Sequence, residues 1–483
     1  MKEESAMKKI IVITQMIAVL AAVISANAQV DWRFGFEWNE MSWLGWSDPD
    51  IEKLLIKLEN IGTAGGINVN GNASWIDMQP NAEAEINFKQ DPIVTVFQNH
   101  GFSLTLYLKC DAPWAFPSKT IPYGGQAAPD SAYEQHWIDY VKAVVERYDG
   151  DGIDDMEGLV IPIQYYIFTG EIVFGGNGLG DADWGPYWFD TIDNLLYLHR
   201  ITYRAVHEAD PSGYSKVVSA GAVLWDLYAD FPDYPEFDPV DPNSTIQQRL
   251  NGENYRSSIY TAGWDSLKKM LDSFGNDADG IECDYIGWHP HFSWRVIDQE
   301  FALIHNHAGN KPIYVDDMWC NLFDRGYFVP LPGIPGYAQF NAPANPYTGS
   351  DWISRINGDF PNPLFTSLDP YAELFQKLNN GDQAVLDWYS ANGARRLVKS
   401  FASAFGEGAI IACFSMTNDL PHNPLIFHSR GWPGGWINLT GTRDENYFAK
   451  PQYYTYKLLV EKLNDFTTAT EVSVSDDSRT RVY

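Results

Sequence analysis

Apolar residues recur along the chain in two alternating rhythms. WRFGFEW (Trp32 to Trp38) alternates with the period of two expected of a strand. Asp48-Pro49 then supplies a cap and an N1 proline, and Ile51, Leu54, Leu55 and Leu58 fall at the i, i+3, i+4, i+7 spacing of a helix. The pattern predicts a strand near Ala64 to Val69, a helix from about Glu85 to His100, a strand over Phe102 to Leu108 and a helix over Ala132 to Tyr148. Leu159 to Phe174, an apolar run rich in Ile and Tyr, reads as a fourth strand buried on both faces. Helices follow at Thr191 to Ala209, Tyr260 to Phe274, Val296 to His307, Leu386 to Phe405 and after Pro451. Between them lie strands at Lys216 to Val223, Cys283 to His289, Lys311 to Asp317 and Ala409 to Met416. Eight strands alternating with eight helices predict an α/β fold, a parallel (β/α)8 barrel (TIM barrel), over residues 29–466.

The long connections follow strands, whereas the returns from helix to strand are mostly short. Trp38 to Ser47, Ile172 to Asp190, Leu224 to Tyr255 and Trp319 to about Gly381 all fall on the side after a strand, which places the binding surface at the C-terminal ends of the strands. Residues 467–483 end in EVSVSDDSRTRVY, which alternates like one strand, either pairing back onto the barrel or beginning a further β-rich domain. At the other end, Lys8 and Lys9 precede an apolar run, and Ala26-Asn27-Ala28 gives a small-x-small cleavage pattern. Residues 1–28 therefore read as a signal peptide and the mature chain as secreted or periplasmic. No later segment has the apolar length of a membrane span.

Charge narrows the partners. A formal net charge of −30 over 483 residues repels nucleic acid, anionic lipid and polyanionic glycans, leaving neutral or cationic substrates. Cys110, Cys283, Cys320 and Cys413 show no paired spacing and read mostly as core thiols; zinc is not expected. The 18 Trp, 27 Tyr and 26 Phe exceed what a core needs and suit stacking on sugar rings. Trp38, Trp75, Trp114, Trp225, Trp288 and Trp319, at or near predicted strand ends, are the candidate platforms, with core packing as the competing role.

In a barrel, Glu171 at the end of strand four and Asp316 or Asp317 at the end of strand seven face one cavity. Glycoside hydrolysis needs such a pair, one carboxyl protonated to release the leaving oxygen and one ionised to attack or to activate water. No phosphate-loop or HExxH motif competes, and no cofactor or catalytic metal is called for.

Four segments in order along the chain also carry a family resemblance. VVERYDGDGIDDMEGLVIPIQYYIFTGEI is similar to the stretch around the acid/base glutamate of clan A glycoside hydrolases, and DYIGWHPH to their sixth strand. KPIYVDD resembles the strand bearing their nucleophile, and KPQYYTYKLL their last helix. The resemblance spans about Trp32 to Asn464 and implies a (β/α)8 hydrolase of O-glycosidic bonds. It implies Glu171 as general acid/base, Asp317 as nucleophile or water-activating base with Asp316 as the alternative, and His289 and His291 as substrate-binding.

Three positions depart from the clan. Gly170 stands where it has Asn, His291 where it has Tyr, and Asp317 where it has Glu. An Asp withdraws its carboxylate by roughly 1.5 Å, moving the pair from the ~5 to 5.5 Å of retaining enzymes toward the ~6.5 Å edge of inverting ones. Retention, inversion and loss of hydrolysis with glycan binding kept are all compatible with that shift. DGDGIDD (Asp149 to Asp155) has the look of a calcium loop but carries Ile153 at a ligand position, so a solvated acidic turn is the equal alternative.

Overall fold

The computed structural model describes residues 33–36, 49–62, 72–121, 125–170, 172–173, 188–223, 258–275, 283–290, 297–318, 377, 382–414, 449–463, 466 and 469. The leader, Cys320, the long segment after the seventh strand but for residue 377, and all of the tail but residue 469 lie outside them.

The strands are β1 (Phe34–Phe36), β2 (Asn72–Ser74), β3 (Thr105–Lys109), β4 (Tyr165–Phe168), β5 (Ile172–Val173), β6 (Lys216–Val218), β7 (Ala222–Val223), β8 (Ile286–Trp288), β9 (Ile313–Met318) and β10 (Ala409–Phe414). β4 with β5, and β6 with β7, are successive halves of one strand position, so ten segments make eight positions. All pairings are parallel, in the order β1-β10-β9-β8-β7-β5 and β2-β3-β4-β6. A bridge from Val218 to Tyr285 joins the two sets, leaving the β1–β2 seam as the one not seen among the described residues. Side chains of β3 and β9 hydrogen-bond across the interior, Thr105 Oγ1 to the Tyr314 hydroxyl at 2.9 Å. The sheet therefore curls round on itself as a (β/α)8 barrel does.

The helices are α1 (Pro49–Glu59), α2 (Trp75–Met78), α3 (Asp91–Asn99), α4 (Glu134–Tyr148), α5 (Ile192–Ala209), α6 (Ser258–Gly275), α7 (Ile297–Ala308), α8 (Gln383–Gly406) and α9 (Pro451–Leu463). Their apolar stripes pack on the outside of the strands: Leu54, Leu55 and Leu58 of α1, and Trp137, Val141 and Val144 of α4, are fully buried. The starts of α5 and α8 are capped by side chains. Thr191 Oγ1 accepts the Asn194 amide to start α5, and Asp382 accepts the Ala384 and Val385 amides to start α8.

Three predicted elements are corrected. The second strand is described at Asn72–Ser74, while Ala64 to Val69 lies outside the described residues. The next helix starts at Asp91 rather than Glu85, because Pro92 suits the first turn and disfavours helix before it. Leu159 to Phe174 is not one strand. Val160 is 74% exposed, and the segment up to Gln164 is an approach loop beneath the barrel. Pairing then breaks between β4 and β5.

Candidate active site

Alternation along β3 sends Thr105 and Tyr107 inward, and Lys109 falls on the same face one step nearer the C-terminal ends. Tyr107, Ile167, Val218, Tyr314, Ile411 and Cys413 form an interior cluster separate from the larger core beneath the helices. Aromatic rings floor it, with Tyr165 5.2 Å from Tyr314 and 5.6 Å from Tyr285. Polar groups stand above this floor.

The end of β9 is shaped by a bulge. Ala412 pairs with Val315 and Phe414 with Met318, so two residues advance on β10 against three on β9. Ile313, Val315 and Met318 all join the outer core, and the extra residue lies in the Asp316-Asp317 pair. Strict alternation would have sent Asp317 into the helical layer; instead both aspartates reach one imidazole. Asp316 Oδ2 is 2.8 Å from His289 Nε2, and Asp317 Oδ2 is 3.9 Å from His289 Nδ1. The Tyr107 hydroxyl donates to the same Asp316 Oδ2 at 2.8 Å. With Asp316 ionised, Nε2 of His289 carries a hydrogen and donates as well. Asp316 Oδ1 is buried and has no hydrogen-bond partner among the described residues.

His289 owes its position to two glycines. On β8, Ile286 and Trp288 face the helices, while Gly287 and His289 face inward. A Cβ on Gly287 would lie 2.3 Å from the Ser219 carbonyl oxygen, and one on Gly221 would lie 2.0 Å from His289 Nε2. Only hydrogen at these positions lets strand and ring approach. The His289 amide also donates to the Ala222 carbonyl at 3.1 Å, tying it to β7.

Strand four shows the second irregularity. Ile167 pairs with Val218 and Ile172 with Ala222, five residues against four. Thr169, wholly buried, sits at φ +65°, a left-handed conformation unfavourable for a β-branched residue. Its amide donates to the Leu108 carbonyl at 3.0 Å, so the turn is tied to β3. Gly170 follows. Glu171 itself lies outside the described residues, as do His291, Trp38, Trp225 and Trp319.

Two of the expected sugar platforms are core side chains instead. Trp75 is 0% exposed, packed against Trp137 and Tyr140, and its indole N–H donates to Gln79. Trp288 is 1% exposed and donates to Glu300 on α7 at 3.0 Å. Neither has a ring face free for a sugar; their parity and local packing turn them outward. Trp114 is partly buried, edge-on to Trp75, and donates to the Gln79 carbonyl.

Tyr107 and Lys109 were not singled out from sequence. The signal was present in Thr-Leu-Tyr-Leu-Lys, where every second residue is polar in an otherwise apolar strand. Burial lowers the Lys109 ammonium from its usual range, and the charges of Asp111 and Asp77 oppose that shift. Burial raises Asp111, whose carboxylate accepts from the Ser74 hydroxyl and the Ile76 amide and so holds the β2–α2 turn. Cys110, Cys283 and Cys413 are buried, as core thiols are. No helix among the described residues is long and apolar enough to cross a membrane.

No known sequence family and no curated protein matches the chain. Among solved structures it is similar to a family 39 glycoside hydrolase from the gut symbiont Bacteroides cellulosilyticus WH2, at 9% identity over 93% of this chain and 67% of that one, with a TM-score of 0.48. It is similar to GH5_18 from Streptomyces cattleya in complex with GlcNAc, at 10% identity over 92% and 82%, with a TM-score of 0.48. A psychrophilic family 10 endo-β-1,4-xylanase matches at 12% identity over 88% and 96%, with a TM-score of 0.46.

Proposed function

We propose that the chain is an exported glycoside hydrolase acting on a neutral oligo- or polysaccharide, with Glu171 as general acid/base and Asp317 as nucleophile or water-activating base. The observation that carries this reading is the meeting of Asp316, Asp317 and His289 at the C-terminal end of β9, above an aromatic floor. Barrel enzymes keep their chemistry at that end. Asp316, wholly buried and bonded to Tyr107 and His289, suits a positioning role: it orients the imidazole that lies beside Asp317. Asp317 stands one residue nearer the mouth. The strained turn at Thr169 supports Glu171 as its partner, since backbone strain is retained where the surrounding structure needs a particular aim for the next residues. The net charge of −30 supports a neutral rather than polyanionic glycan.

The test is turnover on a broad panel of neutral oligosaccharides, with the product anomer followed by NMR. Wild type cleaves at least one, and Glu171→Gln abolishes that cleavage while leaving the thermal transition in place. A wild type that binds a glycan and cleaves none would replace this reading with a silent glycan-binding barrel. The initial anomer decides between retention and inversion.

A further inference from the structure

The loop joining α4 to β4 lies at the opposite end of the barrel from Asp316, and nothing in the proposed hydrolysis uses it. It carries Asp149, Asp151 and Asp155, each offering a carboxylate oxygen within 4.8 Å of those of the other two. Oxygens bound to calcium at about 2.3–2.6 Å lie at most about 5 Å apart across the ion, so three this close fit one cation.

Acidic turns are common without an ion, and the turn alone would carry no site. The second observation is Asp149 itself. Only 7% of it is exposed; Oδ1 accepts the Asp151 amide at 3.2 Å, whereas Oδ2 is buried with no hydrogen-bond partner among the described residues. A buried carboxylate oxygen without a donor is expensive, and a bound cation is a direct way to satisfy it. The other two carboxylates are already aimed by backbone. Gly150 and Gly152 amides donate to the Asp155 oxygens at 3.0 and 2.7 Å, and the Ile153 amide donates to Asp151 Oδ1 at 2.7 Å.

Arg147 spends its guanidinium on the Asp91 carboxylate, at 2.5 Å, and on the main-chain carbonyl of Asp155. Among the described residues no ion pair reaches Asp149, Asp151 or Asp155.

We propose that Asp149, Asp151 and Asp155 bind one divalent cation with the hard oxygen chemistry of calcium, which locks the α4–β4 loop. Ile153 replaces a side-chain ligand of the familiar DxDxDG pattern, and Asp155 takes over that part. The ion is structural: it holds the underside of the strand that leads to Thr169 and Gly170.

The test uses the full chain, stripped with a chelator and exchanged into metal-free buffer. Addition of CaCl2 raises the melting temperature by a few degrees, terbium shows emission sensitised by nearby Tyr148, and calcium displaces the terbium. Asp149→Asn abolishes both responses. Should that variant fail to fold, Asp151→Asn, which alters an exposed position, gives the same loss. The proposal is overturned if wild type shows neither response, or if both responses persist in the two variants. An equal response to MgCl2 would overturn the calcium assignment.

Discussion

The two ends of the barrel each gather carboxylates, and they treat the charge differently. At the mouth, side-chain donors answer it: the Tyr107 hydroxyl and His289 hold Asp316, and the same imidazole lies beside Asp317. At the underside, backbone amides aim Asp151 and Asp155 while one oxygen of Asp149 is buried with no hydrogen-bond partner among the described residues. Side-chain donors from separate strands make a site whose proton positions can change during a reaction. Amides from one short loop make a rigid cradle with spare negative charge. The first arrangement suits chemistry and the second suits a bound cation.

Paired amide substitutions should break the comparison most sharply. Asp316→Asn or Asp317→Asn lowers kcat on a cleaved glycan by about 10²–10⁴, whereas Asp149→Asn lowers the melting temperature in calcium and leaves kcat unchanged at room temperature. Equal kinetic losses at both ends would erase the distinction.

A third carboxylate sharpens it. Burial pushes Glu300 on α7 up to about 8, with the Trp288 indole N–H opposing the shift and the charge of Asp298 adding to it. Its folded value lies above its unfolded one, so the stability tied to its proton is complete below about 4.5. That stability is lost as pH rises through about 8, up to roughly 5 kcal/mol in all. Glu300→Gln removes that loss, and melting curves at pH 5 and pH 9 read it directly. A mutant with the wild-type pH profile would rule it out.

Gly221→Ala probes the mouth through sterics alone. The added methyl meets His289 Nε2, displaces the ring from Asp316, costs about 1–3 kcal/mol of stability and lowers kcat. Gly170→Ala meets nothing within 4 Å and should leave the melting temperature near wild type. Tyr107→Phe deletes one donor to a carboxylate. A loss of about 1.5–3 kcal/mol in stability or in the barrier is the range for such a bond, and kcat separates the two.

Much of the architecture was legible in the chain itself. Period two and period 3.6 alternate because every strand must be covered by a helix and every helix buries one stripe. Leu54, Leu55 and Leu58 went where their spacing said they would. α8 starts at Gln383, ahead of the expected Leu386, whereas the helix expected from about Thr191 begins there because its cap hydrogen bond is local. The acidic end of the seventh strand was legible for the same reason.

Side-chain direction at the strand ends was not, because it depends on register, and register is a property of two strands. The bulge at Asp316-Asp317 exists only relative to β10, and it keeps Asp317 on the His289 side. Trp75 and Trp288 looked like platforms in a linear reading, yet pairing and packing turned both toward the helices. Tyr107 is 209 residues from Asp316, and only closure of the barrel brings its hydroxyl to that carboxylate. The chain by itself determined which residue types stand at which strand ends, because hydrophobic periodicity is local. Which of them meet was decided by bulges, glycine gaps and closure, and those arise only when separate strands are laid side by side.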